Sequence, residues 1–116
     1  MFVEKVLDIL TEYEYKIAFA ESITGGALVS ALVKHSGASN VLEYSVVTYS
    51  KKAKEKQLNI NPVLFDVHGV VSKVIAMEMA ENIKRIAESD IGVGITGNAG
   101  PTAQENSDVG EIWFAI

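Results

Sequence analysis

The sequence contains no cysteine. That excludes disulfides, a thiolate zinc site and a thiol nucleophile, and it suits a reducing compartment, so a cytoplasmic location is expected. Proline is scarce: Pro62 and Pro101 are the two in the chain, and neither lies in a stretch that reads as a linker. No apolar run approaches the ~20 residues that a membrane-spanning helix needs. The segment Met1-Phe2-Val3-Glu4-Lys5 is amphipathic and carries an acid, unlike a signal peptide. Basic residues are outnumbered, ten against fifteen acids, for a formal net charge of −5. Such a surface lacks the basic footprint of a duplex-DNA binder, so neither nucleic acid nor membrane is expected as a partner. A small anionic substrate is still compatible, because a local pocket can oppose the global sign.

What is present is one domain's worth of chain: 116 residues, 48% of them hydrophobic, with no internal repeat and no low-complexity tract. Residues 2–13 place Phe2, Val3, Val6, Leu7, Ile9, Leu10 and Tyr13 at helical spacing. Lys16–Ala20 reads as a short buried strand, and after the break at Glu21–Gly26 a second helix runs to about Lys34, closed by Gly37. Leu42–Tyr49 is β-branched and aromatic and predicts a strand. Lys51–Leu58 predicts a short helix, and Asn61-Pro62 opens a small one ending near Gly69. Ser72 can cap a long helix to about Ser89, with Val74, Ile75, Met77, Met79, Ala80 and Ile83 packing inward. Asp90–Thr96 and Gly110–Ile116 predict two further strands around a polar loop. Helices alternating with short apolar strands imply an α/β fold with a largely parallel sheet. Such sheets bind ligands beyond the C-terminal ends of their strands. The segments after Ala20, Tyr49 and Thr96 are therefore expected to gather at one edge.

Three segments could carry chemistry there. In Ala20-Glu21-Ser22-Ile23-Thr24-Gly25-Gly26, a serine follows a strand and paired glycines open a helix. Ser22 is placed for nucleophilic attack, and amides around Thr24, Gly25 and Gly26 could hold an oxyanion or a phosphate; plain helix capping is the competing reading. In Tyr49-Ser50-Lys51-Lys52-Ala53-Lys54, the lysines read either as a solvated basic face or as containing a general base. A base working near neutrality needs its pKa lowered from ~10.4 by about 3 units, and burial acts in that direction. Serine–lysine pairs are a known alternative to Ser-His-Asp. In Thr96-Gly97-Asn98-Ala99-Gly100-Pro101, Gly97 and Gly100 permit turns while Thr96 and Asn98 offer polar contacts, and the amides near Gly97-Asn98 are the alternative holders of an oxyanion. Gly92-Val93-Gly94-Ile95-Thr96-Gly97 matches GxGxxG, but its glycines fall inside a predicted strand rather than in a strand-to-helix turn, so no dinucleotide site is expected. His35 and His68 are isolated, and Glu21, Glu43 and Asp108 form no ligand pattern, so no metal is expected.

Taken together, AESITGG at 20–26, Gly37-Ala38-Ser39, VTYSKKAK at 47–54, GVVS at 69–72, EMA at 78–80, ITGNAGP at 95–101 and VGEIWFAI at 109–116 resemble the CinA C-terminal domain family, in the family's order and over almost the whole chain. The resemblance implies a three-layer α/β/α sandwich with a mixed, largely parallel sheet, formed by a single domain over residues 1–116. It also implies an amidohydrolase that converts nicotinamide mononucleotide (NMN) and water to nicotinate mononucleotide and ammonia, with no cofactor and no metal. Carried over, Ser22 is the nucleophile, Lys54 its general base and Tyr49 an assisting hydroxyl. Thr24, Gly25, Gly26, Thr96, Gly97, Asn98 and Gly100 surround the substrate. Two departures stand out. Residues 102–108 are more acidic than the family's glycine-rich loop. The chain also stops at Ile116, before the family's last strand, arginine-bearing segment and closing helix, so a truncated form or a homo-oligomer is expected. The alternative reading is a non-catalytic binding or interaction module of a competence- or damage-associated protein.

Overall fold

The computed structural model describes residues 2–101 and 107–116. Helix α1 (Phe2–Glu12) leads into β1 (Ile17–Glu21), α2 (Ala27–Val33), a 3-10 turn at Ala38–Asn40 and β2 (Leu42–Val47). Helices α3 (Lys51–Leu58), α4 (Val63–His68) and α5 (Lys73–Ala87) follow, then β3 (Ile91–Gly97) and β4 (Ile112–Ala115). The sheet order is β2-β1-β3-β4. β1 pairs in parallel with both β2 and β3, and β4 returns antiparallel to β3. The fold is the expected α/β sandwich, with helices on both faces of the sheet.

Strand alternation sorts the core into two layers. Ile17 and Phe19 of β1 and Val93 of β3 join Leu7, Leu10 and Leu32 on the face covered by α1 and α2. Ala18 and Ala20 turn the other way, into a cluster with Leu58, Ile60, Phe65, Ile75, Met79 and Ile83. On that second face β3 carries Gly92 and Gly94. A Cβ on Gly94 would lie 2.5 Å from the Ala76 carbonyl oxygen, and one on Gly92 would run into that of Ala80. The two glycines thus let α5 press directly onto β3. In the GxGxxG match, Gly92 and Gly94 serve close helix-on-strand packing. On the first face, α1 and α2 leave an apolar groove of about 570 Å³ toward β4, lined by Phe2, Phe19, Leu28, Val93 and Phe114 among others.

Three local expectations are corrected. β2 ends at Val47, not Tyr49; the Thr48 amide still donates to the Glu21 carbonyl (2.8 Å), and the chain then turns away. Gly37 does not close α2, whose cap is Lys34 in a right-handed conformation; Gly37, at φ 90°, instead opens the 3-10 turn. Met77 is half exposed, because Ile75, Met79 and Ile83, four residues apart, take the inward stripe of α5 and leave Met77 on its flank.

Candidate active site

The segments after β1, β2 and β3 converge at one edge of the sheet. They line a cleft of about 330 Å³ whose walls include Ser22, Ile23, Tyr49, Ser50, Lys51, Lys54, Thr96, Gly97, Asn98 and Gly100. The parallel register places the three exits side by side: Ala20 is level with Val46 and with Gly94.

Ser22 and Lys54 meet in the floor of this cleft. Helix α3 is started by Ser50, whose hydroxyl accepts from the Ala53 amide (3.0 Å), and the first turn carries Lys54 inward. Its side chain has no solvent exposure. Nζ donates to Ser22 Oγ (2.8 Å) and to the carbonyl oxygens of Thr48 (2.6 Å) and Tyr49 (3.3 Å). None of these partners is a carboxylate. Burial alone therefore pulls the Lys54 pKa down from 10.5 to about 8. A neutral amine has two N–H bonds and one lone pair. The Ser22 hydroxyl itself donates to the Tyr49 carbonyl (3.5 Å); once the amine is neutral and its two N–H bonds rest on the two carbonyls, its lone pair can face Ser22 Oγ, and a turn of the hydroxyl offers it the proton. At pH 7 a group of that pKa is neutral in about one molecule in ten, against fewer than one in a thousand for a free lysine.

Glu21, the last residue of β1, is also fully buried. Its carboxylate accepts from Thr24 Oγ1 (2.5 Å) and from the amides of Gly26 (3.1 Å), Leu28 (3.0 Å) and Val29 (2.9 Å). The Gly25 amide donates to the Ser22 carbonyl (3.0 Å). Thr24, Gly25 and Gly26 thus form the frame of the serine turn and do not line the cleft. By contrast, Ile23 and Ala99 line the cleft from two walls, and their amides have no acceptor among the described residues.

The third wall is held by its own polar groups. Thr96 Oγ1 donates to the Val70 carbonyl (3.1 Å). The Asn98 side chain accepts from the Gly100 amide (3.0 Å), while its backbone N–H donates to the Glu111 carbonyl (2.9 Å). A Cβ on Gly97 would come within 2.8 Å of Ile23 Cδ1, so glycine there lets the first and third walls meet. Tyr49 reaches the pair through its carbonyl; its side chain is 71% exposed. Residues 102–106 of the acidic loop lie outside the described residues. No group of three His, Cys, Asp or Glu stands close enough to hold a metal ion among the described residues. Sequence reasoning passed over the clamp made by Glu21. Its trace is a lone acid ending an apolar strand, ahead of a helix whose first residues include no capping side chain.

The chain matches the family described as CinA C-terminal domain over residues 1–116. A competence-damage inducible protein of Lysinibacillus sphaericus (strain C3-41) is 40% identical over 112 residues, covering 97% of this chain and 27% of that protein. One from Caldanaerobacter subterraneus subsp. tengcongensis is 46% identical over 99 residues, 85% of this chain and 24% of its own. The chain therefore spans about a quarter of the length of these relatives. Among solved structures, the competence damage-inducible protein A of Klebsiella pneumoniae superposes with a TM-score of 0.92 at 32% identity, covering 97% of this chain and 70% of that one. A CinA superfamily protein of Escherichia coli gives 0.93 at 30% identity, covering 97% and 66%.

Proposed function

The chain belongs to the CinA C-terminal domain family, and from that premise we propose that it is a serine–lysine amidohydrolase acting on the carboxamide of NMN. The observation that carries this reading is the 2.8 Å approach of Lys54 Nζ to Ser22 Oγ in a place dry enough to raise the share of neutral amine well above that of a free lysine. Ser22 Oγ attacks the carboxamide carbon as its proton passes to Lys54 Nζ. The tetrahedral oxyanion takes hydrogen bonds from the amides of Ile23 and Ala99. Lys54 then returns the proton to the leaving nitrogen, ammonia departs, and the acid remains as an ester on Ser22. Water attacks that ester as Lys54 accepts its proton, and Lys54 passes that proton to Ser22 Oγ as the C–O bond breaks, releasing nicotinate mononucleotide and restoring the neutral amine and the serine hydroxyl. Lys51, on the cleft wall, supplies a cation for the substrate phosphate. Tyr49, whose side chain is exposed at the rim, offers its hydroxyl as an assisting group. In this reading the enzyme works in the cytoplasm as a homo-oligomer, without a cofactor.

Ammonia release from NMN tests the reading. The wild-type chain is expected to turn over and Ser22→Ala to lose activity; equal rates in the two would overturn it.

A further inference from the structure

We propose that Glu21 is a positioning residue for Ser22: its buried carboxylate clamps the first turn of α2 and so holds the serine, one residue further on, against the amine of Lys54. The proposal rests on the reading of Ser22 and Lys54 as the reacting pair.

Helix α2 begins at Ala27, and its cap residue, Gly26 at φ 105°, offers no side-chain hydrogen bond. The orphan amides of its first turn are instead taken by Glu21, from five to eight residues upstream. Oε1 accepts from Thr24 Oγ1, Gly26 N and Leu28 N, and Oε2 from Val29 N. The same residue is anchored on its other side through the backbone. Its carbonyl accepts from the Thr48 amide (2.8 Å), and the Thr48 carbonyl in turn accepts from Lys54 Nζ (2.6 Å). Glu21 is thus the link between the turn that carries the nucleophile and the turn that holds the base. Ser22 sits between the two anchors.

The carboxylate is chemically specific in this role. It presents only acceptors to four converging donors. Glutamine would turn an NH₂ group toward at least one amide hydrogen, leaving donor against donor, and the turn would open. Aspartate keeps the charge but is one methylene shorter, so it restores only some of the four bonds. A consequence follows for the substrate: the N-terminus of α2 already holds an anion, so an anionic substrate group must sit elsewhere in the cleft.

The test compares Glu21→Gln, Glu21→Asp and a control, Leu10→Ala, which opens a cavity in the core beneath α1, away from the site. Two quantities are read at a temperature where each variant is folded: ammonia release from NMN, and titration of the Lys54 ε-carbon by NMR of lysine-labelled protein. Glu21→Gln is expected to lower kcat about 100-fold, the loss that a misplacement of about 1 Å produces, with KM changed less than about threefold. The Lys54 titration is expected to move up from about 8 toward 10.5 as water enters. Glu21→Asp recovers part of both, while Leu10→Ala changes neither, although it lowers the melting temperature. If Glu21→Gln does not fold, Glu21→Asp carries the comparison. Wild-type kcat and wild-type Lys54 titration in the Glu21 variants would overturn the proposal, as would the same changes in Leu10→Ala. Should the wild-type chain release no ammonia while the titration still moves in the Glu21 variants alone, the clamp stands and the amidohydrolase reading falls.

Discussion

The turn after β1 and the turn after β2 each bury an ionisable side chain at the same end of the sheet, with opposite surroundings. Glu21 is met by four hydrogen-bond donors, three of them backbone amides at a helix start. Every acceptor position the group uses is engaged by a fixed partner, which makes it a structural ligand. Lys54 is met by two backbone carbonyls and a hydroxyl, with no carboxylate among them. Its N–H groups have neutral acceptors but no counter-charge, so burial lowers its pKa and leaves the amine poised to exchange a proton. Burial by itself therefore does not say what a charged residue does. The partners decide, and here the backbone supplies donors at one turn and acceptors at the other.

The sharpest way to break this contrast is to remove each half of the reacting pair. Ser22→Ala and Lys54→Met are each expected to lower kcat for ammonia release roughly 10⁴-fold or more, and the double variant to lose little beyond either single one, since the two act as a unit. Additive losses would mean that the pair does not share a proton. The next largest effect is the pH profile. With the amine required neutral and its pKa near 8, kcat/KM should fall about tenfold for each pH unit below 8, or about 100-fold between pH 9 and pH 6. A flat profile over that range would mean that the amine does not act as the base.

The placement of the two turns was legible in the residues, though the contrast between them was not. The alternation of helices and short strands located the three loops, and the position of Lys54 one turn into a helix after a strand exit is what brings it under Ser22. Two features were hidden for physical reasons. The carbonyls that receive Lys54 belong to Thr48 and Tyr49, and they are available only because β2 stops at Val47; β propensity runs on through both residues, and a tertiary contact decides the stop. The anchoring of α2 was hidden because capping is sought at the residue beside the helix. Here the capping oxygen arrives from a strand, so the serine turn reads as a loop of open amides when most of them are already taken. Met77 was misplaced for a simpler reason: the stripe of Ile75, Met79 and Ile83 already fills the inward face of α5.

The same pair predicts a smaller effect on stability, and its sign can be worked out. The folded-state pKa of Lys54 lies near 8 and its ordinary value at 10.5, so between these pH values the unfolded chain binds the extra proton. Stability from this group therefore rises with pH through that window, and its burial is most costly below pH 8. Between pH 7 and pH 9 the gain is about 1.4 kcal/mol. Urea midpoints of wild type and Lys54→Met at the two pH values isolate it, because methionine removes the titrating group and should flatten that part of the slope. An unchanged slope would place the titration elsewhere.

The smallest effect compares two serine helix caps that carry different cargo, Ser72 also donating to the Gly69 carbonyl. Ser50 Oγ accepts from Ala53 N at the start of α3, and Ser72 Oγ accepts from Ile75 N at the start of α5. Replacing either by alanine removes one cap and should cost about 1 kcal/mol. The consequences for catalysis should diverge. The first turn of α3 fixes the depth of Lys54, so Ser50→Ala is expected to lower kcat several-fold and to raise the pH at which activity half-appears, as the loosened amine meets water. The first turn of α5 carries Ile75 and Ala76 into the core under β3, so Ser72→Ala should change the melting temperature alone. Parallel losses of activity in both would show that α3 tolerates fraying without moving its lysine, and the precision assigned to the second turn would then have to come from the Thr48 and Tyr49 carbonyls by themselves.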